Sequence, residues 1–391
     1  MGRSVAKRAV IVGCATLFAF GPEAVPAATA GPPAGIASND LVTALSRDLA
    51  LTFPEYLQRA DTAQRLAEFE RTARGSYPMV VRGVHLDKAG RPLVTLTGGP
   101  SSDVARAAAE AAGFTVETAS QNSAAGADPT PVADDVAATG DEIPTPAAAS
   151  DPEVPGGTYF YTIRDRIVSR FCVTAFNGTD RDGNVIAITG THCDRTGPPD
   201  PPGTPFIPIP APPDTPPDPN VAWVLPATPG QFAASPLGPR IGVLRTPPID
   251  VPLDYGILRL DEAVENRFRN NLIGVGAGTS IAIDGIADPV VGAPVCRVSP
   301  ISGFTCGTVT NADVNQTYRR RAGRNLEHLT AATGGFLTLP GDLGSPVISG
   351  TKALGIVSIN SGVTTGNIVI QPIRPVLEAN PGLTLFTRER H

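Results

Sequence analysis

Three short clusters in this 391-residue chain carry side chains able to do chemistry. In the first, Cys172-Val173-Thr174-Ala175-Phe176 is followed by Ile188-Thr189-Gly190-Thr191-His192-Cys193, so that a histidine ends a strand-like run. A disulfide between the two cysteines would pin that histidine, which is what a positioned general base requires. Taken alone, His192 also reads as a structural residue. In the second, Asp254 stands directly before the apolar run Tyr255-Gly256-Ile257-Leu258-Arg259-Leu260, where a carboxylate can orient an imidazole and stabilise its protonated form. The third is Pro340-Gly341-Asp342-Leu343-Gly344-Ser345-Pro346, whose glycines permit a tight turn with backbone amides able to aim at an oxyanion.

Strands must position these clusters. Between Gly156 and Arg388 the sequence alternates short β-prone runs with Gly, Pro, Asn and Asp: Phe171 to Phe176, Val185 to Thr189, Ile257 to Leu260, Ser280 to Ile283, Pro346 to Ser349 and Leu354 to Ile359. That pattern predicts an all-β sandwich or pair of barrels. Upstream, Leu41, Leu45 and Leu49 lie four apart, and Pro54 can open a second helix through Leu57, Leu66 and Phe69. Two β-runs joined by Asp87-Lys88-Ala89-Gly90 follow, then a helix from Ser102 to Ala112 stopped by Gly113, then a strand from Phe114 to Thr118. Residues 39–118 are therefore read as a small α+β unit.

Two tracts separate or interrupt these parts. Residues 119–155 are rich in Ala, Asp, Thr and Pro and poor in large apolar side chains, a composition that reads as a flexible linker. Residues 198–219 hold twelve prolines and read as an extended insertion. At the start, Arg3, Lys7 and Arg8 precede an apolar run from Ala9 to Phe20 and the small residues Ala28-Thr29-Ala30, the pattern of an export signal over residues 1–30. The apolar run is too short to cross about 30 Å of hydrocarbon. Losing the signal removes Cys14 and leaves Cys172, Cys193, Cys296 and Cys306 in a chain bound for an oxidising compartment. Four cysteines allow three connectivities; the short-range pairs are preferred, though sequence does not settle the choice. With a formal net charge of -6 and 17% charged residues, the chain lacks the basic surface that nucleic acid or an anionic membrane requires. No metal or cofactor is expected, since His85, His328 and His391 show no ligand spacing with one another.

Taken in order, the three clusters resemble the chymotrypsin-like serine peptidase family, more closely its secreted bacterial branch of streptogrisins and α-lytic proteases. The His192-Cys193 pair is similar to the family's histidine signature, Asp254-Tyr-Gly-Ile-Leu-Arg to its aspartate strand, and Gly-Asp-Leu-Gly-Ser-Pro to its Gly-Asp-Ser-Gly-Ser/Gly-Pro motif except at one residue. Over residues 156–388 the resemblance implies two six-stranded antiparallel β-barrels. It implies a triad position for His192 and Asp254, an oxyanion amide at Gly341, and a Ser358 hydroxyl on Asp254. It further implies a specificity-pocket position for Leu337, a substrate-pairing position for Asn360, and a disulfide loop at Cys296 and Cys306. The upstream unit resembles the branch's pro-domains, which assist folding and inhibit.

Where the motif departs, function is at stake. Leu343 stands at the nucleophile position and offers neither an attacking atom nor a proton for His192. Asn360 replaces a glycine, and the third disulfide that often braces the pocket is missing. The expectation is a secreted, non-peptidolytic protease homologue that binds a peptide or protein, with its own pro-domain-like unit as a partner. Two rivals are an active serine endopeptidase and an adhesin that works through the proline-rich loop.

Overall fold

The computed structural model describes residues 39–77, 79–99, 102–119, 153–164, 167–194, 220–224, 240–274, 280–318, 324–339, 341–358 and 364–388. The proposed signal, almost all of the linker and the proline-rich insertion lie outside the described residues.

The upstream unit follows its sequence pattern closely. Helices α1 (Asn39–Leu49) and α2 (Phe53–Ser76) precede strands β1 (Val81–Leu86) and β2 (Pro92–Leu96), helix α3 (Ser102–Ala111) and strand β3 (Thr115–Thr118). Thr52 and Glu55 form a reciprocal capping box at the start of α2, with Pro54 in its first turn, so a leucine-poor sequence still begins its helix at a defined residue. Gly90, at φ 81°, closes the β1–β2 hairpin, and Gly113, at φ 82°, ends α3.

The first large sheet contains β4 (Tyr159–Arg164), β5 (Ile167–Val173), β6 (Phe176–Thr179), β7 (Val185–Thr189), β8 (Val221–Val224), β9 (Arg240–Arg245) and β10 (Gly256–Leu260). After it come α4 (Glu265–Phe268), β11 (Leu272–Ile273), β12 (Ile281–Ala282) and β13 (Gly285–Ile286). The remaining elements are β14 (Pro294–Ser299), β15 (Gly303–Tyr318), β16 (Arg324–Thr338), β17 (Pro346–Ser349), β18 (Lys352–Val357), β19 (Thr364–Pro372), α5 (Ile373–Glu378) and β20 (Thr384–Leu385).

Strands β14, β15, β16, β19, β18 and β17 close into a six-stranded barrel, with β13 added in parallel beside β18. Among the described residues the first sheet forms a half-barrel of eight strands in the order β20-β6-β7-β10-β9-β8-β4-β5, with no ladder between β5 and β6. The run Phe171 to Phe176, expected as one strand, is divided at Thr174 and Ala175. Their amides bond instead to Thr158 and Ile188, at 2.9 and 2.6 Å. With only two residues between strands near opposite ends of the sheet order, covalent reach forces the sheet to curl until those ends adjoin. Strand β20 ties the far end of the chain to this sheet through Thr384–Thr179 and Leu385–Gly178, and a Cβ at Gly178 would fall 2.0 Å from the Thr384 carbonyl oxygen.

The upstream unit docks on the closed barrel, and the two share hydrophobic clusters. Leu41, Leu45 and Tyr56 pack in one cluster with Cys296, Ile348 and Ile356, while Ala63 and Leu66 pack in another with Val295, Val347 and Leu354. All residues of β14 and β17 are consequently buried, which explains why their sequences run apolar without alternation. Polar groups seal the joint. Tyr56, fully buried, donates its hydroxyl to the carbonyls of Ile348 and Gly350, and burial pushes its phenol upward. The Asp48 carboxylate, 3% exposed, accepts the Cys306 amide at 2.8 Å and pairs with Arg47 at 2.6 Å. A Cβ at Gly335 would fall 2.1 Å from Asp48 Oδ1, so this carboxylate needs a glycine beneath it. Gln64 exchanges hydrogen bonds with both the amide and the carbonyl of Asp288.

This joint yields a prediction. Truncating a buried aromatic removes apolar contact and leaves a cavity, so Tyr56→Ala should lower unfolding free energy by about 3–5 kcal/mol. Urea denaturation of the full chain measures it; a loss below about 1 kcal/mol would show that the surface is not packed as a core.

Candidate active site

Pairing of β7 with β10 builds the first half of the site. In this antiparallel register Thr189 faces Gly256, so the chain leaving β7 and the chain entering β10 lie side by side. His192 sits on a short 3₁₀ turn, Thr191–Cys193, just beyond β7, and Asp254 lies two residues before β10 begins. The Thr191 amide donates to Asp254 Oδ1 at 2.9 Å and the Thr191 hydroxyl to the same oxygen at 2.5 Å. Ser358, at the end of β18, donates its hydroxyl to Asp254 Oδ2 at 2.6 Å. The Asp254 amide donates in turn to the Gln371 side chain at 2.8 Å. A carboxylate only 4% exposed is thus held by donors from both halves of the protein, as a buried anion must be.

Disulfide Cys172–Cys193 ties β5 to the His192 turn across a Cα–Cα distance of 5.9 Å. Cys296–Cys306 joins directly opposed residues of β14 and β15. His192 Nε2 lies 3.1 Å from Cys193 Sγ. Cys172, His192 and Cys193 form the one cluster of metal-type donors among the described residues, but both sulfurs belong to the disulfide and neither offers a thiolate.

The glycine-rich turn meets the His192 turn at close quarters. A Cβ at Gly344 would fall 2.8 Å from Thr189 Oγ1 and 3.0 Å from the Gly190 amide nitrogen, and Gly344 has φ 81°. A Cβ at Gly190 would in turn lie 2.8 Å from His192 Nδ1 and 3.6 Å from the Gly344 Cα. Two glycines therefore let strand ends from the two sheets touch where His192 stands. Gly341 has φ 102°, and Leu343 is half-buried against the cluster that contains Phe336 and Val357. Among the described residues, the amides of Gly341 and Leu343 donate to no acceptor, whereas that of Asp342 bonds to the Leu339 carbonyl and that of Gly344 to the Val357 carbonyl. Ser345 is fully buried, and among the described residues its hydroxyl has no partner. Leu337 is 37% exposed, and Asn360 lies outside the described residues.

A buried ion pair fixes the turn from behind. Asp342 and Arg297 both have side chains with no exposure and meet at 3.2 Å. Asp342 also accepts the Ser299 and Ser302 hydroxyls and the Leu339 amide. Arg297 donates to the Leu337 carbonyl at 2.7 Å, to the Thr338 hydroxyl at 3.3 Å and to Ser302. Burial lowers the Arg297 pKa, opposed by the charge of Asp342. Sequence reasoning did not single out this pair, Thr191 or Gln371. A signal existed for Arg297, a lone cation inside the apolar run Pro294-Val295-Cys296-Arg297-Val298, where only a buried partner makes a charge tolerable.

Removing one member leaves the other charged and desolvated, so Arg297→Leu should destabilise the protein by about 3–5 kcal/mol. The double variant Arg297→Leu with Asp342→Leu should recover much of that loss. Denaturant titrations of both variants check the pair, and a single variant as stable as the parent would refute a buried charge.

No family model matches the chain. It is 35% identical over 116 residues to streptogrisin-C of Streptomyces griseus, a match covering 29% of this chain and 24% of that relative, so the chain spans about a quarter of the relative's length. Similar solved structures include a glutamic-acid-specific serine protease at 23% identity and TM-score 0.44. Others are an α-lytic protease homologue at 22% and 0.43 and the Cellulomonas bogoriensis chymotrypsin at 25% and 0.41, each covering 60% of this chain and all of its counterpart. With its sequence match to streptogrisin-C, the chain is a homologue of the chymotrypsin-like bacterial serine proteases.

Proposed function

We propose that the protein is a secreted protease homologue that binds a peptide or protein chain without cleaving it. One observation carries the reading: Leu343 places a hydrocarbon at the position that the Gly341–Gly344 turn shares, by resemblance, with the proteases' nucleophile. A leucine has no lone pair to attack a carbonyl and no proton for His192 to take. Losing the serine of such a triad costs about a factor of 10⁶ in turnover, on the order of 8 kcal/mol of barrier. Ser345, the neighbouring hydroxyl, is fully buried and so is poorly placed to meet a substrate.

In this reading Leu337 lies at the pocket, the amides of Gly341 and Leu343 face the ligand backbone, and residues 39–118 act as a pro-domain, with processing in residues 119–155. Export is supported by the charged-then-apolar start of the chain and by two disulfides, which persist in oxidising compartments. Among the described residues no helix is long and apolar enough to cross a membrane.

The Thr191 and Ser358 donors on Asp254 favour a second reading, an active serine endopeptidase, because they are part of the surroundings that a triad aspartate needs. Labelling by a serine-directed fluorophosphonate, abolished in His192→Ala, would establish it.

Hydrolysis of a mixed peptide library by the protein and by Leu343→Ser separates the two. Cleavage by Leu343→Ser alone, faster by several orders of magnitude, is the expected outcome. Similar rates for both would overturn the binding reading.

A further inference from the structure

The Gly341–Gly344 turn has donors to spare that no acceptor among the described residues uses. The amides of Gly341 and Leu343 flank Asp342, both residues are only partly buried, and neither amide has a partner among the described residues. Two unsatisfied amides two residues apart in a turn entered through a positive-φ glycine make the donor pair that binds anions. The nearest carboxylate cannot fill them. Asp342 is fully buried and held by Arg297, Ser299, Ser302 and the Leu339 amide, so it is spent on the far side of the turn.

Chemistry decides which anion fits. A protease turn meets a negative oxygen only briefly, when a nucleophile adds to a carbonyl. With leucine at 343 and the Ser345 hydroxyl buried, nothing here generates that oxygen, so a negative ligand must arrive already charged. A peptide bond offers a neutral carbonyl; the end of a peptide offers a carboxylate, whose charge-assisted hydrogen bonds are about twice as strong. The His192 ring borders the Gly190–Gly344 contact, and the Leu337 carbonyl is held by the same Arg297 that pairs with Asp342 of the turn, with Leu337 itself 37% exposed.

We propose that the protein is a receptor for free peptide C-termini, the terminal carboxylate seated on the amides of Gly341 and Leu343 and an apolar last residue directed toward Leu337. This rests on the binding reading and narrows its ligand class. Nothing is consumed: no bond forms or breaks, and a carboxylate, already the end product of amide hydrolysis, gives His192 no reaction to promote.

The test uses the full chain and two fluorescent pools of random heptapeptides ending in leucine, identical except that one has a free C-terminal carboxylate and the other a C-terminal amide. Anisotropy titration should show the acid pool binding at least about tenfold tighter, the value of one charged hydrogen bond over a neutral one. In protein labelled with [¹⁵N]leucine, the amide resonance that disappears in Leu343→Met should move with the acid pool and not with the amide pool. Equal affinity for both pools, or an unmoved Leu343 amide, overturns the carboxylate proposal and leaves the binding reading standing. Binding of neither pool overturns both.

Discussion

Arg297 and Asp342 meet where no solvent reaches either, and much of the site hangs on that meeting. A desolvated pair is tolerable only if most of the remaining donors and acceptors are also served, and here the Leu337 carbonyl, the Leu339 amide and the hydroxyls of Ser299, Ser302 and Thr338 serve all but Arg297 Nε, which has no partner among the described residues. Those groups belong to the end of β16, to β14 and to the turn after β14. Satisfying the pair therefore fixes the spacing between these segments, and with it the turn that carries Gly341, Leu343 and Gly344. Asp254 is the counterpart in the other half, bound by Thr191 from the first sheet and by Ser358 from the closed barrel. Two buried carboxylates thus set the geometry at the seam of the two sheets.

Much of this was legible in the residues. The upstream helices followed from the four-residue leucine spacing and from Pro54, and β7, β10 and β17 fell within a residue of their apolar runs. His192 and Asp254 are singled out by their positions beside such runs, and the structure places Asp254 within hydrogen-bonding distance of Thr191 and Ser358. The long hairpin of β15 and β16 was not legible, because Thr-Asn-Ala-Asp-Val-Asn-Gln-Thr is polar on both faces and its register shifts three times, which erases the period-two signal. Division of the Phe171–Phe176 run was equally hidden: all its residues suit a strand, and only covalent reach between opposite ends of the sheet order splits it. Buried polar partners such as Gln371 leave no local trace, since what identifies them lies far away in sequence.

Under the proposed binding reading, side chain and backbone carry separate functions at the glycine turn. The hydroxyl that a protease would place there depends on one codon, whereas the amides depend on the Arg297–Asp342 pair and on glycines at 341 and 344. In the proposed binding reading, leucine at 343 removes covalent chemistry and leaves recognition intact, since binding and bond making draw on different atoms. Retention of the Asp254 surroundings fits that division, because the carboxylate also joins the two sheets and would cost stability if left unpaired.

Strand β20 has a consequence for the order in which the molecule takes shape. Thr384 and Leu385 pair with β6, and the Phe386 amide bonds to the Asn177 carbonyl, although some two hundred residues lie between them. A chain that emerges N-terminus first presents β6 long before its partner exists, leaving one flank of the first sheet open until β20 follows. Such long-range pairing forms late because the loop it closes is costly in entropy. The first sheet is thus timed by the arrival of the chain's far end, while the upstream unit waits for the closed barrel that supplies the rest of its core.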